Sequence, residues 1–331
     1  MNQNLIFTVS SNVRLNEFLR KVIPETLGCE ISNSKIRRLI ISGCVSVDGR
    51  VVRIPAFDLR SGSKVSAFID KEKLFFEKPA DDIKFEVTPE AVLYEDDYLI
   101  FINKPCHFPT EKTIVDSRDN LHDAVVRYLW SKNPGLRNPP YVGIMHRLDK
   151  ETSGVILFTK KREVNKAIFD MFDSAKLELE SSQSAVLQRP VTKTYIAAVE
   201  DSPKIKDSFT VKNYLGRISS KSAQGKWGSV PKSKGGVLAV TEFKIRQRRA
   251  GICILECHPV TGRTHQIRVH LAQSGFPIIG DTLYGEGVLK SSAAASHNAA
   301  RLMLHAESLE LIHPVTGKKL CVKAEADWQS Y

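Results

Sequence analysis

A chain of 331 residues, 42% hydrophobic and 26% charged, has the composition of an ordinary globular protein and is longer than one hydrophobic core usually organises. No apolar run approaches the roughly 18 to 20 residues that span a bilayer, and the amino terminus lacks the basic-then-apolar pattern of a secretion signal, so a cytoplasmic protein is expected. The formal net charge of +11 points to a polyanionic partner, nucleic acid ahead of an anionic membrane surface. Cysteines at 29, 44, 106, 253, 257 and 321 show no C-x-x-C spacing, which argues against a zinc ribbon or a disulfide framework.

In chain order, Arg14 to Leu19 carries apolar residues at helical spacing, and Ser34 to Ile40 reads as a second short helix opened by a Ser34 cap and stopped at Gly43. Cys44 to Val47, the turn Asp48-Gly49-Arg50 and Val51-Val52 read as a hairpin. Met1 to Lys73 holds twelve Lys and Arg against seven Asp and Glu, so this stretch is basic in its own right. The acidic, proline-bearing stretch Glu77 to Asp97 suits a linker. Beyond it come apolar strands at Leu99–Ile102, Val155–Phe158, Thr194–Val199, Ala239–Phe243 and Ile252–Cys257, with helices near 121–130, 163–172 and 265–273. Cys253 and Cys257 share one face of their strand and are read as core. Residues 177–188, Ser-rich and Glu-containing, and 219–236, rich in Gly, Ser and Lys, read as surface loops.

The expected class is α+β: a mixed, mainly antiparallel sheet with flanking helices over 91–331, a linker over 76–90, and a small α/β module over 1–75. The front module resembles the small RNA-binding domain of the ribosomal-protein-S-four type, most sharply over Ser34 to Arg38 and Gly43 to Arg50. That resemblance implies that Lys35, Arg37 and Arg38 lie along RNA phosphates.

The most informative segment is His146-Arg147-Leu148-Asp149-Lys150-Glu151-Thr152-Ser153-Gly154, a polar run placed just before an apolar strand. It contains H-R-L-D-x-x-T-S-G without a gap and resembles the signature of the RluA family of pseudouridine synthases. Three further segments fall in that family's order: Asp97 to Pro105, Lys193 to Ala197, and Thr261 to Ala272 continuing to Gly280-Asp281-x-x-Tyr284-Gly285. The resemblance implies an isomerase that turns uridine into pseudouridine in RNA, a reaction that changes no redox state and demands no cofactor or metal. It assigns the catalytic carboxylate to Asp149, with Arg268 as its cationic partner and Arg263 as the second choice. Tyr195 would stack on the target base, Arg147 would fill the gap left by the flipped nucleotide, and Leu271 would pack beneath the base. His146 is placed with the RNA-contacting residues.

His146, His258, His265 and His270 lack carboxylates at metal-ligand spacing, so a metal site is not expected. The expected partner is RNA, large-subunit ribosomal RNA ahead of transfer RNA, and the expected state is a monomer. The alternatives are a transfer RNA enzyme and an inert RNA-binding or ribosome-assembly protein. A nucleic-acid hydrolase would want paired acids or a metal cluster.

Overall fold

A computed structural model describes residues 2–70, 83–112, 119–180, 190–218, 225–285 and 301–328. The chain divides into two compact units, Met1–Ala80 with Lys112–Arg118 and Asp81–Glu111 with Asp119–Tyr331. None of the described helices is long and apolar enough to cross a membrane.

The first unit runs β1 (Asn2–Thr8), β2 (Val13–Arg14), α1 (Leu15–Leu27), α2 (Asn33–Ile41), β3 (Val45–Val47), β4 (Arg50–Val51), β5 (Asp58–Leu59) and β6 (Lys64–Asp70). Strands β1, β6, β3 and β4 form an antiparallel sheet in that order, and the short pair β2–β5 stands apart from it. Leu15, Leu19 and Ile23 fall on one face of α1 and meet Ile36, Ile40, Val45, Val65 and Ala67 in a single core. The expected hairpin is present: Asp48 (φ 48°) and Gly49 (φ 82°) both adopt positive φ, as the turn matching strand twist requires. Ser34 is not the cap. The helix opens two residues earlier, with Ser32 in extended conformation at the N-cap, and it ends as expected ahead of Gly43, whose amide bonds the Ile40 carbonyl. Two neighbouring serines carry the same local signal, and the chain uses the first.

The second unit begins with the short strand β7 (Val92–Glu95), followed by β8 (Leu99–Lys104), α3 (Leu121–Ser131), β9 (Gly143–Ile144), β10 (Ser153–Thr159), α4 (Asn165–Glu180) and β11 (Val191–Glu200). Then come β12 (Ser208–Arg217), β13 (Trp227–Ser229), β14 (Val237–Arg249), β15 (Ile252–Pro259), α5 (Gln266–Gln273), β16 (Leu304–Ile312) and β17 (Lys319–Lys323). They build a sheet in the order β13-β12-β14-β15-β11-β16-β10-β8-β7, with β17 added on β16 and β9 on β10. Every pairing is antiparallel except β10 with β16. The mixed, mainly antiparallel sheet with flanking helices is thus the α+β class expected from the sequence.

Strand β15 alternates so that Cys253, Leu255 and Cys257 face the core, each 0% exposed. Strand β10 instead buries every residue, because its two faces pack on different clusters: Ile156 and Phe158 on one side, Val155 and Leu157 on the other. The acidic stretch ahead of the sheet contributes to this unit. Phe85 packs on Phe108, Val87 is buried, and Asp96 receives the amides of Tyr98 and Leu99 and the side chains of Tyr94 and His313. Of the two expected loops, 177–188 enters the end of α4 and otherwise lies outside the described residues. Of the second, 219–224 lies outside the described residues, and Trp227–Ser229 is a strand that pairs with Leu215–Arg217.

Two histidines tie this unit's stability to pH. His146 Nε2 accepts the Leu157 amide and its ring stacks on Phe172, while His270 lies between Thr241 Oγ1 and Asn213 Oδ1. Burial lowers their pKa values to about 3 and about 4, so both are neutral when folded. Their stability contribution is therefore complete above the unfolded value of 6.5 and is lost as pH falls toward the folded values. Well inside that window each proton costs about 1.4 kcal/mol per pH unit. The urea midpoint of this unit is expected to fall clearly between pH 7 and pH 5; an unchanged midpoint would mean the two rings are not buried neutral.

Candidate active site

The loop from His146 to Thr152 is held by its own carbonyls. Thr110 Oγ1 donates to the Leu148 carbonyl at 2.9 Å, Lys104 Nζ to Lys150 at 3.0 Å, and Cys106 Sγ to Glu151 at 2.8 Å. The Thr152 amide closes a turn onto the Asp149 carbonyl at 3.1 Å. Lys104 is 0% exposed and also donates to the carbonyls of Pro105 and Phe108, so three acceptors match the three N–H bonds of an ammonium. Burial nevertheless pulls its pKa down to about 7. At the end of the loop, Ser153 Oγ meets His305 Nδ1 at 2.8 Å and receives Arg301 Nη1 at 3.0 Å. Gly154 follows with φ 110°, and a Cβ there would stand 2.2 Å from the Ala306 carbonyl oxygen. Only glycine allows this close parallel start of β10 on β16.

That pairing brings Tyr195 to the loop. Gly154 and Tyr195 both lie in register with Ala306, on opposite sides of β16, and an irregularity between Thr194 and Tyr195 turns the strand at that point. Tyr195 packs between two core clusters, and burial together with the Asp149 carboxylate pushes its hydroxyl above the ordinary phenol range. It is a neutral phenol.

The charged centre comes from α5 and the turn after it. Arg268, with 4% of its side chain exposed, forks onto the fully buried Asp281: Nε to Oδ2 at 2.8 Å and Nη2 to Oδ1 at 2.9 Å. Its remaining nitrogen, Nη1, faces Asp149 Oδ2 at 3.8 Å and Glu151 Oε2 at 3.5 Å. Burial opposes this charge, but the Asp281 hydrogen bonds and the three carboxylates hold the guanidinium pKa above its usual value. The Tyr284 ring covers it, with 5.3 Å from Cζ to the ring centroid. His265, at the cap of α5, also approaches Asp149, its Nε2 4.0 Å from Oδ2.

Of the residues singled out in the sequence, Asp149, Arg268 and Tyr195 come together. Arg263 has its Nε donating to the Leu238 carbonyl at 3.0 Å. Leu271 is 0% exposed inside the core that Tyr195 packs against. Arg147 points outward beside the loop, 61% exposed, with Nη1 2.7 Å from Glu111. His146 does not face the carboxylate; it braces the loop against β10 through the Leu157 amide. In the first unit Arg37 is exposed, Lys35 and Arg38 are half-buried, and Arg38 Nε is a buried donor without a partner among the described residues. His258, weighed above with the metal-ligand histidines, pairs with Glu256 on its own strand. Sequence reasoning assigned no role to Lys104, Glu151, His265, Asp281 or Tyr284, although each lies in a segment it singled out. A lysine ending an otherwise apolar strand was the available signal for Lys104.

A family model described as RNA pseudouridylate synthase matches residues 98–273, and one described as S4 domain matches residues 19–65. Ribosomal large subunit pseudouridine synthase C of Buchnera aphidicola is 30% identical over 96% of this chain and 91% of its own. Ribosomal large subunit pseudouridine synthase D of Xanthomonas campestris is 28% identical over 98% and 88%. An uncharacterised RNA pseudouridine synthase of Synechocystis is 32% identical over 92% and 83%. Among solved structures, human RNA pseudouridylate synthase domain containing 4 shares the fold, with a TM-score of 0.53 and 24% identity over 72% of this chain and 89% of that one. With the matched model covering more than half of the chain, including Asp149, Tyr195 and Arg268, this chain belongs to the RNA pseudouridylate synthase family and is an isomerase acting on RNA.

Proposed function

We propose that this protein isomerises uridines of large-subunit ribosomal RNA to pseudouridine, with Asp149 as the catalytic carboxylate. The observation that carries this reading is the meeting of Asp149, Arg268 and Tyr195 in one partly closed site, on a loop fixed through three of its carbonyls. The reaction breaks the bond between C1′ and N1 of the base, turns the base, and forms the bond from C1′ to C5. The C5 proton leaves and N1 gains one, so atoms balance without a redox partner. Asp149 acts at the sugar, as nucleophile on C1′ or as base, in the manner of carboxylates that handle glycosidic bonds. Arg268 faces that carboxylate at 3.8 Å and orients it. Tyr195 offers its ring to the flipped base, and Arg147, exposed beside the loop, reaches into the gap the base leaves.

The choice of ribosomal RNA is supported by relatives named for the large subunit, which align over nearly the whole chain. An RNA-binding front module is supported by the S4 domain match and by the basic residues Lys35, Arg37 and Arg38. Mapping pseudouridines in total RNA from cells with and without the gene tests the target: large-subunit positions should revert to uridine, and loss confined to transfer RNA would redirect the assignment.

Tyr195→Phe separates stacking from proton removal. The ring stays, so binding and bond cleavage persist, while release of the C5 proton slows. With RNA carrying 5-fluorouridine, which has no proton at that carbon, the variant should react nearly as fast as wild type while failing on ordinary uridine. Equal slowing on both substrates would place the hydroxyl earlier in the reaction.

A further inference from the structure

His265 sits in a backbone conformation that costs energy and makes contacts that explain why it is there. Its φ of 56° and ψ of 20° are left-handed, a region non-glycine residues enter at a cost. The ring is caught between two groups. Nδ1 lies 2.8 Å from Tyr284 Oη, and Nε2 lies 4.0 Å from Asp149 Oδ2. The Trp227 amide donates to the same Tyr284 oxygen at 3.0 Å, so that oxygen is an acceptor there and its own proton has His265 Nδ1 as its acceptor among the described residues. The imidazole hydrogen is then on Nε2, directed at Asp149. Burial lowers the His265 pKa and so favours this neutral ring, against the pull of Asp149.

We propose that His265 is a second positioning residue for Asp149: a neutral imidazole, its tautomer set by Tyr284, whose Nε2–H joins Arg268 in holding Oδ2 and leaves Oδ1 as the oxygen that meets the sugar. His265 and Arg268 approach the same carboxylate oxygen, and among the described residues no hydrogen bond or ion pair engages Oδ1. The strained cap of α5 is what lets one short helix present His265 and Arg268 to one carboxylate together. This inference rests on the functional reading above and deepens it.

Two variants and one spectrum test it. His265→Asn keeps a residue that tolerates left-handed backbone, but its amide is too short to reach Asp149. Its single-turnover rate should fall about tenfold or more, the scale of a hydrogen bond to a charged group that closes from 4.0 Å when substrate binds, with RNA affinity unchanged. Because the lost donor favours the ionised carboxylate, the acid limb of the rate should also move to higher pH. The groups facing His265 besides Asp149 are Arg268, Glu151, Asp281 and the Tyr284 hydroxyl, and all remain in the variant. His265→Gln, which places an amide near the Nε2 position, should recover both rate and limb. In the wild-type protein, nitrogen-15 NMR should show His265 protonated on Nε2 and bare on Nδ1, a readout that needs no variant to fold. A wild-type rate in His265→Asn, a lower rate with an unmoved acid limb, no recovery in His265→Gln, or a proton on Nδ1 would each overturn the inference. Wild-type protein that makes no pseudouridine on any RNA would instead overturn the functional reading beneath it.

Discussion

Asp149→Ala and Asp149→Asn should bind RNA within tenfold of wild type and form no pseudouridine, a loss of at least ~10⁴-fold when the group removed does the chemistry. The two halves of that result have separate physical sources. Affinity for a polyanion comes from many lysines and arginines spread over a chain with net charge +11, and removing one acidic side chain hardly alters that sum. Turnover, in the proposed reaction, depends on one carboxylate at the sugar. Asp149→Asn is the sharper variant, because it keeps the size of the side chain while removing its nucleophilic and basic character. The backbone of the loop should be undisturbed in either variant, since Thr110, Lys104 and Cys106 hold the carbonyls of Leu148, Lys150 and Glu151 rather than the Asp149 side chain. Equal melting temperatures for the three proteins would confirm that the loss is chemical. Residual turnover of a few per cent in Asp149→Ala would remove the carboxylate from its role.

Arg268→Ala should fail twice, in stability and in activity. Asp281 has a fully buried side chain, and its partner's removal strands an ionised carboxylate, which costs about 3 to 5 kcal/mol. Activity should vanish as well, because Asp149 and Glu151 would then face each other's charge without the Nη1 that lies between 3.5 and 3.8 Å from them. Arg268→Lys should rescue little of either, as a point charge cannot fork onto Asp281 and still reach Asp149. Asp281→Asn separates the effects: it leaves the amides of Leu283 and Tyr284 an acceptor oxygen but weakens the hold on the guanidinium, so kcat should drop at unchanged RNA affinity. Urea unfolding and single-turnover rates measured on the same preparations distinguish these outcomes. Arg268→Ala as stable as wild type would mean the pair with Asp281 is not the buried anchor described here.

The strands that place the site were legible in the sequence wherever the apolar pattern stood on its own. Ile252 to Cys257 alternates cleanly, and Val155 to Phe158 is a run too short for a helix core and too apolar for a loop. The string from His146 to Gly154 was legible for a different reason, since its residue types match a family signature. What the sequence concealed were groups that act by meeting something distant. Asp281 reads as an ordinary turn aspartate until the chain folds back and sets it under Arg268. Tyr284 becomes a cover for that cation, and a fixer of His265, only through the same return. The strand Trp227–Ser229 was hidden in a stretch of Gly, Ser and Lys because its pairing with Leu215–Arg217, and not its own propensity, makes it a strand. His146 was placed with the RNA-contacting residues for its position beside Arg147; its contacts to the Leu157 amide and the Phe172 ring, which brace the loop, come from residues distant in the chain.

In the proposed reaction the chain exchanges one carbon–nitrogen bond of uridine for a carbon–carbon bond using Asp149. Release of tritium from RNA labelled at C5 of its uridines reports that exchange directly, because the C5 hydrogen leaves only when that carbon has joined the sugar. Purified protein, in buffer with chelator and without added cofactor, should release tritium from prefolded large-subunit ribosomal RNA, and Asp149→Ala should release none. Absence of release from every RNA by the wild-type protein, or release by Asp149→Ala at a rate near that of wild type, would contradict the account.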